Sequence, residues 1–287
     1  MTQKKRWFPL VTFIPLLYLM GWILVQPLHI GWNNIQQNQL SIVSTIFSFL
    51  LFIILLPSWA KARWKDEHFF ATIGLDFYLK GEFIRNLFKG LFCSLVLLCA
   101  VLIPLVLTPW GRLMGDFSIP IVLNGLVLGF LVGFAEETIF RGWLLNEMEQ
   151  MLGVRLGLLA QAAIFSFVHL PFNLGLWPAL GLLIGLFLLG ILLGLIVNNQ
   201  SGKLWGCVGL HGGLVGGWFI ISNGFVEISS QAPGWLFGPG GTTLNPIGGV
   251  LSIITLSSIL YNQRTAFAIA GRPFKGACKA SSKGALP

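Results

Sequence analysis

The chain has 287 residues, of which 55% are hydrophobic and only 10% charged, and its formal net charge is +8. Soluble domains carry about 25% charged residues, so this composition excludes an ordinary soluble globular chain. Its basic residues stand at the ends of apolar runs, where membrane topology uses them, and not in one soluble patch, which argues against a nucleic-acid binder.

A bilayer-spanning helix takes about 20 apolar residues. In chain order, a basic lead, Lys4-Lys5-Arg6, precedes an apolar run over 7–25. No small-residue cleavage site follows it, so it reads as a first span rather than a signal peptide. A second span is expected over 40–59. The stretch 60–89 is the most charged part of the chain and interleaves Lys61, Arg63 and Lys65 with Trp64, Phe69 and Phe70. That mixture suits a segment lying in the headgroup layer, and equally a solvated loop with one short helix. Further spans are expected at 91–110, from 119 to the polar turn at 146–155, at 156–170, 177–197 and 204–222, and at 247–261. The last two are separated by a long Gly/Pro loop, 223–246, whose only charge is Glu227.

The lead, the 60–89 stretch, the turns at 149–155 and 198–203 and the tail hold nearly all Lys and Arg, whereas the alternate loops hold Arg112 alone. This positive-inside pattern predicts an all-α polytopic integral membrane protein with about eight transmembrane helices and both termini cytoplasmic. It divides into an N-terminal region 1–118, a membrane core 119–262 and a basic tail 263–287. Cys93, Cys99, Cys207 and Cys278 show neither disulfide nor metal spacing.

The chemistry concentrates in Glu136-Glu137-Thr138-Ile139-Phe140-Arg141, inside an apolar run. A charged group at mid-bilayer costs about 2.5–3.5 kcal/mol on insertion scales, so such residues point to function. Glu137 and Arg141 stand at i, i+4 and can pair on one helix face. Glu136 points about 100° away and is left for another partner. The candidates are His169, expected at similar depth across a hairpin turning near Gly153, and His211 on a later span. A carboxylate withdrawn from water is a better base than one in solution, and with imidazoles it can activate water. The same residues can instead hold a metal, although no His-Glu-x-x-His helix is present.

The order Glu136-Glu137-x-x-x-Arg141, then Phe165-x-x-x-His169, then His211 resembles the CPBP family. These are the type II CAAX prenyl endopeptidases and the bacteriocin-processing or Abi proteins. The run Ser201-Gly202-Lys203-Leu204-Trp205 leading to Gly209-Leu210-His211 is similar to that family's third motif. The resemblance covers about half of the chain, 119–262. It implies an intramembrane endopeptidase, a CAAX endopeptidase-like hydrolase. Glu136 would activate water with His169, Glu137 and Arg141 would form a supporting ion pair, and His211 would stabilise the oxyanion. Phe165 would pack beside His169. The implied partners are a peptide or protein substrate, lipidated or plain, and membrane lipid.

One position departs from the pattern: Val215 stands where the family usually has Asn, four residues after the histidine. Losing one oxyanion donor costs about 10²–10³ in rate. Asn124 is the candidate replacement; the alternative is a proteolytically silent scaffold or immunity-type protein. A transporter is disfavoured, since no internal repeat is visible. No cofactor is expected, because two imidazoles and one carboxylate make an incomplete ligand set; the alternative is a divalent metal such as zinc on Glu136, His169 and His211. The expected location is a bacterial plasma membrane, with an internal membrane such as a thylakoid as the alternative.

Overall fold

The computed structural model describes residues 4–31, 37–65, 68–75, 80–115, 118–171 and 173–263. The tail's lysines and arginines, Cys278, and Asp66, Glu67, Asp76, Phe77 and Tyr78 of the charged stretch lie outside the described residues.

Among the described residues six helices are long and apolar enough to cross a membrane, and Val154–Val168 and Val250–Asn262 are shorter apolar helices. The protein is therefore a polytopic all-α membrane protein; the spans expected at 156–170 and 247–261 fall on the two shorter helices. The helical stretch Ile119–Leu152 has 34 residues. At 1.5 Å per residue it runs about 51 Å, well beyond a hydrocarbon core of about 30 Å.

Contacts divide the chain into two compact units, Met1–Thr72 and Ile73–Pro287. In the first, α1 (Lys4–Gly31) packs on α2 (Gln37–Arg63), followed by a short α3 (Phe69–Thr72). Gly21 seats against Ser44 and Ser48, and Phe13 stacks on Trp59 at 4.4 Å. Arg63 lies over the same indole, 4.7 Å from its centroid, so this end of the charged stretch is helix with its cation on an aromatic face.

The second unit is built around α9 (Trp205–Ile220), which has α4 (Lys80–Leu107) on one side and α5 (Ile119–Glu137) on the other. Helix α4 starts at Lys80, not near 91, so 80–89 is mostly helix rather than interfacial loop, and Phe83 meets Trp205 edge-on at 4.4 Å. Counted in sequence with the N-terminal region, α4 packs within this second unit. Gly206, Gly209, Gly213 and Gly217 of α9 abut α4, and Gly212 and Gly216 abut α5. On α5 the partners are Gly125, Gly129 and Gly133, and a Cβ on Gly133 would stand 2.8 Å from Gly212 Cα. Without a hydrophobic drive between helices in lipid, such small-residue stripes let backbones approach and gain dispersion contact.

After α5 comes a seven-residue π-helical turn, Thr138–Leu144, in which Leu145 N–H reaches back to Phe140 O. Helix α6 (Leu145–Leu152) then ends at Gly153, whose φ of +80° is one that side chains resist, and α7 (Val154–Val168) returns. Helix α7 packs on α8 (Leu176–Asn199), where Gly190 seats on Ala162 and Ser166 Oγ donates to Leu183 O at 2.7 Å. Helix α11 (Val250–Asn262) covers α8 from its other flank.

The connections expected to be plain loops are ordered. Strand β1 (Gly111–Leu113) pairs antiparallel with β2 (Val226–Ile228) and sets Arg112 opposite Glu227, the only charge in its loop. Opposite charges across a strand pair favour that register. Beneath the ribbon, Val101 and Leu105 bury against Val226, Ile228, Ala232, Phe237 and Leu244, and Trp218 Nε1 donates to Leu244 O at 2.7 Å. Phe237 belongs to the short helix α10 (Gly234–Phe237).

Candidate active site

The glycine stripe of α5 continues in register: Gly125, Gly129 and Gly133 are followed four residues on by Glu137. Four-residue steps stay on one helix face. The close α5–α9 approach that the glycines permit therefore delivers Glu137 to His211 of α9. His211 Nδ1–H donates to Glu137 Oε1 at 2.7 Å, and Arg141 Nη1–H donates to the same oxygen at 2.8 Å. Both side chains of the Glu137–Arg141 pair are fully buried.

Glu136 faces the other way. Its Oε2 lies 2.9 Å from His169 Nε2 and 3.7 Å from His211 Nε2. These side chains are 27% exposed for Glu136 and 28% for His169, against 0% for Glu137 and Arg141. The site thus has an accessible dyad in front of a sealed ion pair. His169 stands at the C-terminal end of α7, and its Nδ1–H donates to Phe165 O at 2.7 Å. Since a carbonyl only accepts, that contact assigns the Nδ1 proton and leaves one further proton to be shared between Nε2 and Glu136.

Phe165 is the fixture among these groups. Its buried ring is 4.5 Å from the His169 ring, 5.8 Å from the His211 ring and 5.1 Å from Phe140, and the Arg141 guanidinium lies over it at 4.2 Å. A desolvated cation on an aromatic face gains about 2 kcal/mol, which helps hold Arg141 in an apolar surrounding.

All five expected site residues, Glu136, Glu137, Arg141, His169 and His211, are thus brought together. The structure adds the glycines of α5 and the π turn, and it moves one expectation. Asn124 stands twelve residues before Glu136, about 18 Å along the helix, and is exposed, so it does not replace the missing Asn at Val215. Gln161 is fully buried, and its amide has no protein partner.

Among the described residues no three His, Cys, Asp or Glu side chains are arranged to hold a metal ion. Ligands on a tetrahedral zinc with bonds of about 2.1 Å stand roughly 3.4 Å apart. Glu136 and His169 stand closer, at a hydrogen-bond separation of 2.9 Å, while Nδ1 of each imidazole is held by Phe165 or Glu137 and Nε2 of each faces Glu136.

Comparison with known families turns this geometry into a relationship. Residues 118–216 match the type II CAAX prenyl endopeptidase Rce1-like family. The Rce1-like segment spans about a third of the chain and contains all five residues and Val215. It bears out the resemblance seen in the motifs, although the match ends at 216, short of the expected 262. It also supports intramembrane proteolysis as the general activity of this segment. Residues 1–68 match a domain of unknown function (DUF8676). No curated protein matches the chain.

Proposed function

We propose that the protein is an endopeptidase that hydrolyses a peptide bond of a membrane-associated or lipidated substrate, using water activated by Glu136 without a resident metal. The observation that carries this reading is the Glu136–His169 contact, 2.9 Å long and partly accessible, set against the sealed Glu137–Arg141 pair. A water beside Glu136 gives its proton to the carboxylate as its oxygen attacks the scissile carbonyl carbon. The carbonyl π electrons move onto oxygen, and that oxyanion is met by His211 Nε2–H of the imidazolium, which Glu137 supports at Nδ1. Collapse expels the amine, which takes the proton held by the Glu136–His169 pair, and the products are a carboxylic acid and an amine, between which the acid's proton then passes to leave a carboxylate and an ammonium.

The distribution of Lys and Arg supports cytoplasmic termini and a site opening toward the cytoplasmic face; the membrane in this reading is a bacterial plasma membrane, with an internal membrane as the alternative. The substrate meets the site as a peptide or protein at the membrane surface, with lipid covering the outward apolar faces.

The test is turnover of a quenched peptide library, prenylated and plain, by purified protein in detergent. Turnover that persists in Glu136→Gln sinks the reading. Val215 favours a second reading, a proteolytically silent scaffold. Absence of turnover above the Glu136→Gln background, across both halves of the library, supports that alternative.

A further inference from the structure

Several enclosed polar atoms near the ion pair and on α7 take no part in the proposed proton transfers. Gln161 is 0% exposed, and neither its Nε2 nor its Oε1 has a protein partner. Glu137 Oε2 and Arg141 Nε and Nη2 are equally enclosed and equally without protein partners. Gln161 stands one turn before Phe165 on the buried face of α7, and Arg141 lies over the Phe165 ring. The opposite wall is α8, where a Cβ at Gly194 would lie 3.9 Å from Gln161 Oε1. Helix α9 closes the patch through Cys207, whose Sγ–H donates to Leu193 O at 3.0 Å.

Enclosed polar groups in folded proteins are satisfied by protein or by bound water, and internal waters typically take about three hydrogen bonds from such groups. The patch offers both donors and acceptors. Arg141 can only donate and the Glu137 carboxylate can only accept, while the Gln161 amide does both. An anion would suit Arg141 but not Glu137, and a cation the reverse. Water alone satisfies all three.

We propose that Gln161, Arg141 and Glu137 enclose an internal water site, and that Gln161 acts through it as a positioning residue for Arg141 and Glu137, and hence for His211. The waters complete the hydrogen bonding of the sealed ion pair, so its one bond to His211 keeps its direction while Glu136 exchanges protons. As a site the proposal stands alone; its effect on rate rests on the hydrolytic reading above.

The experiment compares the wild type with Gln161→Met, an apolar isostere, and Gln161→Asn, which keeps the amide and leaves extra room for water. Thermal unfolding in detergent is read first. A hydrated site makes Met the worse substitution, lowering Tm by several degrees, with Asn recovering most of the loss. If the amide is merely orphaned, Met raises Tm or leaves it unchanged, and the proposal falls. Cryo-EM density of the wild type decides where Gln161→Met does not fold: ordered water within hydrogen-bond distance of Gln161 and Arg141 supports the site, and a dry patch overturns it.

On a cleaved peptide, Gln161→Met lowers kcat by about tenfold, less than loss of a direct donor, with KM within twofold and recovery in Gln161→Asn. Equal kcat in all three proteins overturns the positioning role. If the wild type cleaves nothing while the Tm order holds, the water site stands and the proteolytic reading fails instead.

Discussion

His211 Nδ1 lies 2.7 Å from Glu137 Oε1, so a carboxylate one residue away from the proposed base fixes the imidazole that faces that base. The glutamates divide the work: Glu137 orients, and Glu136 is left accessible to exchange protons. Because the ionised Glu137 must accept, the proton on His211 Nδ1 is assigned, and Nε2 is the nitrogen turned toward Glu136.

Glu136→Gln keeps the shape of the site but cannot take a proton from water. Turnover should fall by at least 10²-fold, the lower end for loss of a positioned base, with Tm within a few degrees of wild type. Peptide cleavage and thermal unfolding on one preparation check both halves.

Arg141→Met leaves the Glu137 carboxylate fully buried with only His211 as partner. Removing one member of a buried pair costs about 3–5 kcal/mol, because the remaining charge is uncompensated. The double variant Glu137→Gln/Arg141→Met should recover most of that stability but not the activity, since His211 loses its orienting carboxylate. Unfolding of the two variants side by side checks the order.

Gly133→Ala puts a methyl 2.8 Å from Gly212 Cα, which forces α5 and α9 apart. Activity should fall with stability, because the same displacement moves Glu137 from His211. Gly81→Ala is the control. Its Cβ would have nothing within 4 Å, and Ala is the better helix former by about 1 kcal/mol, so that variant should be unchanged or slightly more stable.

Val215→Asn returns a donor one turn after His211. If the oxyanion is short of a donor, kcat should rise by about 10- to 100-fold with little change in KM. Steady-state kinetics on one cleaved peptide reads this directly.

Turnover should survive a chelator such as EDTA, since Glu136 and His169 stand at a hydrogen-bond distance rather than a ligand–ligand one. Loss of activity on chelation, restored by zinc, would overturn the metal-free reading.

Much of this was legible in the chain. The i, i+4 spacing of Glu137 and Arg141 survives as a 2.8 Å ion pair, and the hairpin about Gly153 brings His169 to Glu136. What escaped has physical reasons. The π turn at 138–144 depends on which neighbours pack around one backbone turn, and no composition marks it. Strands of three residues, as at 111–113 and 226–228, are too short to show alternation. The Gly125, Gly129, Gly133, Glu137 series was visible as a four-residue repeat, but its meaning required knowing that α9 carried glycines facing it. Asn124 has the right chemistry at the wrong height, since sequence alone does not say how far along a helix a donor can act.

Helix α9 meets both neighbours through main chain at Gly206, Gly209, Gly212 and Gly216. A side chain can change rotamer to absorb a neighbour's drift; a peptide backbone cannot. The depth and azimuth of His211 are therefore inherited from three rigid rods in near contact rather than from adjustable packing. Exposed positions on the same rods, such as Leu126, Val127 and Phe92, face outward from that seating. Mutation there can retune the protein to a thicker or thinner bilayer while the imidazole stays in place, so the lipid-facing skin and the reaction centre are free to evolve on separate schedules.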